Sequence, residues 1–169
     1  MTTQLPAFPA SLAASYDHVA VAAPRIRSLL PLYAGLLGGT FYAGGDNPRV
    51  GYRALQLTLV NGAKIELLEP LAGSTFLDRF FRRTGGGGMH HITCRVPDIQ
   101  AAITAAEHAG YTPTGVFLGN PDWQEVFLHP KATSGVLIQL VQAPDKPPAV
   151  GTIDDVLAGR GHGGTGLPS

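Results

Sequence analysis

The sequence predicts an α+β fold made of two βαβββ modules in tandem. Three observations carry that expectation. Two segments, Tyr16-Asp17-His18-Val19-Ala20-Val21-Ala22-Ala23-Pro24 and Met89-His90-His91-Ile92-Thr93-Cys94-Arg95-Val96-Pro97, share one plan. In each, a histidine opens a short apolar run and a proline follows six positions later; the two histidines, His18 and His91, stand 73 positions apart. The same offset of 73 relates Gly62 to Gly135, Ile65 to Ile138, Glu66 to Gln139, Leu67 to Leu140 and Glu69 to Gln142, and self-similarity over both halves is the mark of duplication. Finally, strand-like and helix-like periodicity succeed one another in the same order twice.

In module one, residues 18–23 form a β-rich run ended by Pro24, which suits a first helical turn. Leu29, Leu30, Tyr33, Leu36 and Leu37 then recur at helical spacing, interrupted by Pro31 and ended by Gly38-Gly39. A brief strand at 40–42, a loop at 44–48 and a long strand at 51–60 follow. Asn61-Gly62 marks a hairpin, since both residues tolerate positive φ, and 63–69 returns as a strand. Ser74 begins a helix to 83 with Phe76, Leu77, Phe80 and Phe81 on one face.

The glycine run 85–88 reads as a hinge-like join rather than a phosphate loop, because neither Lys-Ser/Thr nor a helix follows it. Module two repeats the plan: a strand at 91–96, a helix from Asp98 to Gly110, and strands at 112–118, 123–128 and 136–142. The expected organisation is a flexible N-terminus (1–15), one domain (16–143) divided into modules 16–81 and 89–143 by a linker (82–88), and a Pro/Gly-rich tail (144–169) with at most one short helix near 153–157.

The chain has 169 residues, with 12 basic and 12 acidic side chains in balance. That balance argues against nucleic-acid binding, which needs a basic face. No apolar run approaches bilayer length, and the N-terminus lacks a basic segment followed by an apolar core, so neither a membrane span nor a signal peptide is expected. The single cysteine, Cys94, excludes an internal disulfide and a cysteine-based zinc site, and a cytoplasmic setting is the default.

The residues that carry chemistry are the duplicated polar ones. His18, Glu66, His91 and Gln139 each begin or interrupt an apolar strand, where a polar side chain is costly without a partner. Modules related by a pseudo-twofold axis would bring the four together. Two imidazoles, a carboxylate and an amide oxygen make a mixed N/O set for a divalent metal ion, with Zn, Ni, Co, Mn and Fe all open. The competing reading is that the histidines are satisfied core residues and Gln139 joins a hydrogen-bond network.

Four segments, Asp17-His18-Val19-Ala20-Val21, Lys64-Ile65-Glu66-Leu67-Leu68-Glu69-Pro70-Leu71, Gly88-Met89-His90-His91-Ile92 and Phe127-Leu128-His129-Pro130-Lys131 running to Gly135-Val136-Leu137-Ile138, together resemble the vicinal oxygen chelate superfamily, which includes glyoxalase I, methylmalonyl-CoA epimerase and extradiol dioxygenases. The resemblance covers about 16–143 and is strongest to the epimerase and glyoxalase branch. It implies a curved, barrel-like mixed sheet around a central site, with His18, Glu66, His91 and Gln139 on the four metal-ligand positions and a possible homodimer. It implies a metal-dependent isomerase or lyase that polarises a small carbonyl or thioester through an enolate-like intermediate. A metal-free binding protein of the resistance type and a non-haem iron dioxygenase are the alternatives on this scaffold.

One departure bears on mechanism. Epimerases and glyoxalase I carry Glu where this chain has Gln139, which cannot accept a proton, and the position of an epimerase's second base falls near Ala54. Glu66 is then the acid left on the metal-facing positions, as ligand, base or both. Thr93 and Arg95 share the face of His91, and Arg95 is a candidate for an anionic substrate group, with a rim salt bridge the alternative. Trp123 is a candidate substrate wall, in a stretch with Asp122, Gln124 and Glu125 that should cover the pocket. His90, one residue before His91, should point to the opposite face of the strand and be structural. Cys94 should be a small core residue, His108 a surface residue, His129 a turn residue and His162 a solvated tail residue.

Overall fold

A computed structural model describes residues 12–145 and 148–161. His162 and residues 1–11, which include most of the segment expected to be flexible, lie outside the described residues. The described residues form eight strands and three α-helices, in the α+β class. Two compact bodies divide the described residues: 17–91 with 145 and 148–161, and 12–16 with 92–144.

The first body contains β1 (Ser15–Ala22) from Asp17 onward, β2 (Thr40–Asn47), β3 (Tyr52–Thr58), β4 (Lys64–Pro70) and α1 (Asp78–Thr84), with strand order β2-β3-β4-β1. β1 runs parallel to β4, placing Ala20 opposite Glu66, and β3 is antiparallel to β4, placing Gln56 opposite Glu66. The expected helix after Pro24 is not continuous. A 3-10 turn at Ile26–Ser28 is followed by a wide π-type turn at Pro31–Leu36, in which the Leu37 N–H reaches the Leu32 carbonyl. Pro31 has no N–H to give and its ring crowds the preceding turn, so the helix restarts there.

α1 also starts later than expected. The Ser74 hydroxyl accepts from the Phe76 N–H, capping a turn rather than the helix, which begins at Asp78. β2 is longer than the brief strand expected, because Gly44 and Gly45 pair across to Leu55 and Ala54 instead of forming a loop. A Cβ on Gly44 would lie 2.7 Å from the Ala54 carbonyl oxygen and 2.8 Å from Val156 Cγ2. That close approach is made by the third helix, α3 (Ile153–Leu157), which carries a Thr152–Asp155 capping box. Val156 is buried in the core with Ile26, Leu55, Leu57, Ile65 and Leu67. The Arg53 guanidinium donates to the Leu157 carbonyl at 3.0 Å. The described part of the tail is thus a docked element of this body.

The second body contains the remainder of β5 (Gly88–Arg95), α2 (Ile99–His108), β6 (Pro113–Phe117), β7 (Gln124–Leu128) and β8 (Ile138–Gln142), with strand order β5-β8-β7-β6. β5 is parallel to β8, placing Thr93 opposite Gln139, which is the Ala20–Glu66 register shifted by 73 in both strands. Asp98 caps α2 through the Ala101 N–H, and Ile99 and Ala102 pack with Val96 and Val126. The repeat extends to an interaction that the spacing alone does not disclose. The Ile26 N–H donates to Glu69 at 2.6 Å, and the Ile99 N–H donates to Gln142 at 2.8 Å. In each module the end of the last strand therefore accepts the backbone N–H that follows the first strand's proline.

If α3 is part of the core, V156A will lower the unfolding free energy by roughly 1–3 kcal/mol, the range for truncating a buried aliphatic side chain. Denaturant unfolding checks this, and an unchanged midpoint would mean that the helix is not integral.

Candidate metal centre

His18 lies on β1, Glu66 on β4 and His91 on β5, all in the first body. Each is nine-tenths or more buried. Their ligand atoms lie within 4.8 Å of one another. The two imidazoles converge on one carboxylate oxygen: His18 Nε2 is 3.6 Å and His91 Nε2 3.8 Å from Glu66 Oε2. Atoms each about 2.1 Å from a tetrahedral ion stand roughly 3.4 Å apart, so the spacing fits a small divalent ion. Two imidazoles and a carboxylate also suit its chemistry.

The far sides of these groups are held by polar partners. Asp17 Oδ1 accepts from His18 Nδ1 at 2.6 Å, and Lys64 Nζ donates to both oxygens of Asp17 at 2.9 and 2.8 Å. The Gln56 amide donates to Glu66 Oε1 at 3.1 Å, leaving Oε2 toward the histidines. His91 Nδ1 lies 2.8 Å from His90 Nδ1. His90 was expected on the opposite face of the strand, but its ring turns to meet that of its neighbour and packs edge-on against Phe80, with centroids 4.9 Å apart.

Electrostatics follow from this enclosure. Burial opposes charge on His18, but Glu66 and Asp17 overcome it and raise the imidazole from 6.5 to about 9. Burial likewise opposes charge on Glu66, but His18, then His91 and the Gln56 hydrogen bond, hold its carboxyl down from 4.5 to about 2. His90 is lowered by burial, with Arg83 adding to that shift. The metal-free protein thus contains a buried His18 imidazolium–Glu66 carboxylate pair, which a metal ion would have to deprotonate.

Thr93, Arg95, Trp123 and Gln139 lie in the second body, where Thr93, Trp123 and Gln139 join in a polar group. Thr93, fully buried, donates to Gln139 Oε1 at 2.6 Å. The Gln139 amide nitrogen donates to Glu125 Oε2 at 2.6 Å, and Trp123 Nε1 donates to the same oxygen at 2.8 Å. Trp123 is thus a buried residue that anchors Glu125. Arg95 donates to the carbonyls of Ala143 and Pro144, pinning the chain after β8.

Glu125 is the carboxylate whose part the linear sequence does not reveal. Both modules contain a glutamine amide that donates to a glutamate carboxylate, but the carboxylate is on the last strand in the first (Gln56 to Glu66) and on the penultimate strand in the second (Gln139 to Glu125). The offset links Glu66 to Gln139 and passes over Glu125, which reaches Gln139 diagonally because Phe127 is its direct partner.

A family model described as the glyoxalase/bleomycin resistance protein/dioxygenase superfamily matches residues 17–127. The chain belongs to that superfamily. It is 36% identical over 129 residues to the ethylmalonyl-CoA/methylmalonyl-CoA epimerase of Cereibacter sphaeroides, covering 75% of this chain and 96% of the relative. It is 33% identical over 129 residues to the mitochondrial methylmalonyl-CoA epimerase of Homo sapiens, covering 75% and 73%. Among solved structures, methylmalonyl-CoA epimerase from Mycobacterium tuberculosis aligns with a TM-score of 0.68 and 26% identity, covering 85% of this chain and 95% of that one. These likenesses bear out the vicinal oxygen chelate fold, and the chain is an epimerase-like enzyme of that superfamily.

The buried pair gives the metal-free protein a pH-dependent stability. His18 is raised, so its contribution is complete below pH 6.5 and is lost as pH climbs through about 9. Glu66 is lowered, so its contribution is complete above pH 4.5 and fades as pH falls toward about 2. Urea midpoints of metal-free protein should peak between these limits, and H18F should lose the decline on the alkaline side.

Proposed function

We propose that this protein is a metal-dependent epimerase acting on a 2-alkylmalonyl thioester of coenzyme A, with His18, Glu66 and His91 as protein ligands to a divalent ion. The observation that carries the reading is the buried His18–Glu66–His91 cluster, with ligand atoms within 4.8 Å, on a chain 36% identical to an ethylmalonyl-CoA/methylmalonyl-CoA epimerase. The substrate class comes from that relative's name.

Bound at this cluster, a divalent ion would supply Lewis-acid stabilisation of the charge that develops on a carbonyl oxygen when the adjacent carbon loses its proton. The protein's own part is to hold and move that proton. Glu66 is ionised across the neutral range, so it can act as an acceptor, and Gln56 fixes its other oxygen. The imidazolium of His18 makes it a weak base. A divalent ion in place of that imidazolium would hold the basicity of the carboxylate down as well, so Glu66 would act as a weak base. The cluster itself offers one carboxylate, so inversion depends on Glu66 or a further acid returning a proton to the α-carbon.

Exchange of the α-hydrogen of racemic methylmalonyl-CoA or ethylmalonyl-CoA in deuterated water tests the reading. Wild-type protein should exchange and epimerise, a strong chelator should abolish both, and a divalent ion should restore them. E66Q should lower kcat by at least about 100-fold, the lower bound for losing a general base. Activity that survives chelation in protein free of divalent metal would sink the metal reading. Exchange retained in E66Q would shift the proton-transfer role to another carboxylate, and Glu125, held by Gln139 and Trp123, is the next variant to make.

A further inference from the structure

We propose that His90 is a positioning residue whose Nδ1 holds a proton on His91 Nδ1, so that His91 presents an unprotonated Nε2 to a metal ion. The inference rests on the metal reading above. Its basis is a correspondence between the two halves of the centre. The residue before each candidate ligand histidine engages that histidine's Nδ1: Asp17 with His18 at 2.6 Å, and His90 with His91 at 2.8 Å. Asp17 and His90 are related by the same 73-residue offset as the histidines. On the other side of each ring, Nε2 faces the same Glu66 oxygen, at 3.6 and 3.8 Å.

An imidazole that ligates through Nε2 must be neutral, with its proton on Nδ1. That N–H needs an acceptor, which both selects the tautomer and sets the ring's orientation. For His18 the acceptor is a carboxylate, anchored by Lys64. For His91 it is the lone pair on His90 Nδ1, available when His90 is neutral and carries its own proton on Nε2. The packing around His90 fits a ring held in one orientation. Phe80 lies edge-on at 4.9 Å between centroids, and Phe76 is tilted against it at 6.3 Å.

The two histidines thus receive different support. His18 is backed by an anion, which strengthens its ring as a donor to a metal; His91 is backed by a neutral imidazole and adds no further negative charge beside Glu66.

Metal affinity, read by competition with a chromogenic chelator, tests the proposal on full-length protein with Zn²⁺ and Co²⁺ as probes. H90F keeps a ring against Phe80 but removes the acceptor, and should weaken affinity about 10- to 100-fold, the usual effect of losing a histidine's outer hydrogen-bond partner. H90N, whose side-chain oxygen can stand where Nδ1 stood, should recover affinity to within a few-fold of wild type. Thermal unfolding of the metal-free variants should show both folded. Wild-type affinity in H90F overturns the proposal, as does equal weakening in H90F and H90N, which would trace the effect to packing. A wild-type protein that binds neither ion overturns the metal reading and this inference with it.

Discussion

The interaction on which the first body depends is the sharing of one carboxylate oxygen by two imidazoles. Glu66 is almost completely buried, and an unpaired carboxylate there would cost several kcal/mol, about the effective penalty for a buried ion. His18 and His91 offset that cost on Oε2, and Gln56 on Oε1. The histidines in turn need partners for their outer nitrogens, which Asp17 and His90 provide, and Asp17 needs Lys64. Each polar group buried for the sake of the centre therefore brings another with it, ending in Lys64 on one side and the Phe76–Phe80 aromatic contacts on the other.

The apolar framework keeps that chain of contacts in register. β1, β3 and β4 present Leu55, Leu57, Ile65 and Leu67 to one core, with Ile26 and Val156 packed among them. Glu69 holds the backbone of Ile26 and also receives Arg53, which reaches Asp46 and the end of α3. The C-terminal helix is thereby tied to the same strand that carries Glu66. A second apolar cluster, Ala20, Ala22, Ala54, Leu68, Leu77 and Phe80, positions α1, the helix that supplies Phe80 to His90.

The second body solves the same burial problem with the roles of its residues exchanged. Gln139 stands where the repeat has Glu66, and its amide is satisfied at both ends, by Thr93 and by Glu125. The carboxylate thus moves from the last strand to the one before it. The Ile99–Gln142 contact, by contrast, keeps the geometry of its counterpart with an amide in place of the carboxylate.

The sequence by itself determined the duplication, the order of strands and helices, and the positions worth attention, because strand pairing and hairpin chemistry leave period-2 patterns, turn dipeptides and a constant 73-residue offset. The identical registers Ala20–Glu66 and Thr93–Gln139 are the physical form of that offset. Tertiary structure alone decided how the side chains are partnered. His90 lies on a strand, where alternation assigns it to the far face, yet its ring rotates about χ angles that no backbone period constrains and meets His91. Glu125 reaches Gln139 across a diagonal, which depends on strand pairing rather than on spacing along the chain. At most one short helix near 153–157 is expected from the tail's sequence, but the docking of that helix depends on a glycine more than a hundred positions earlier that leaves room for Val156.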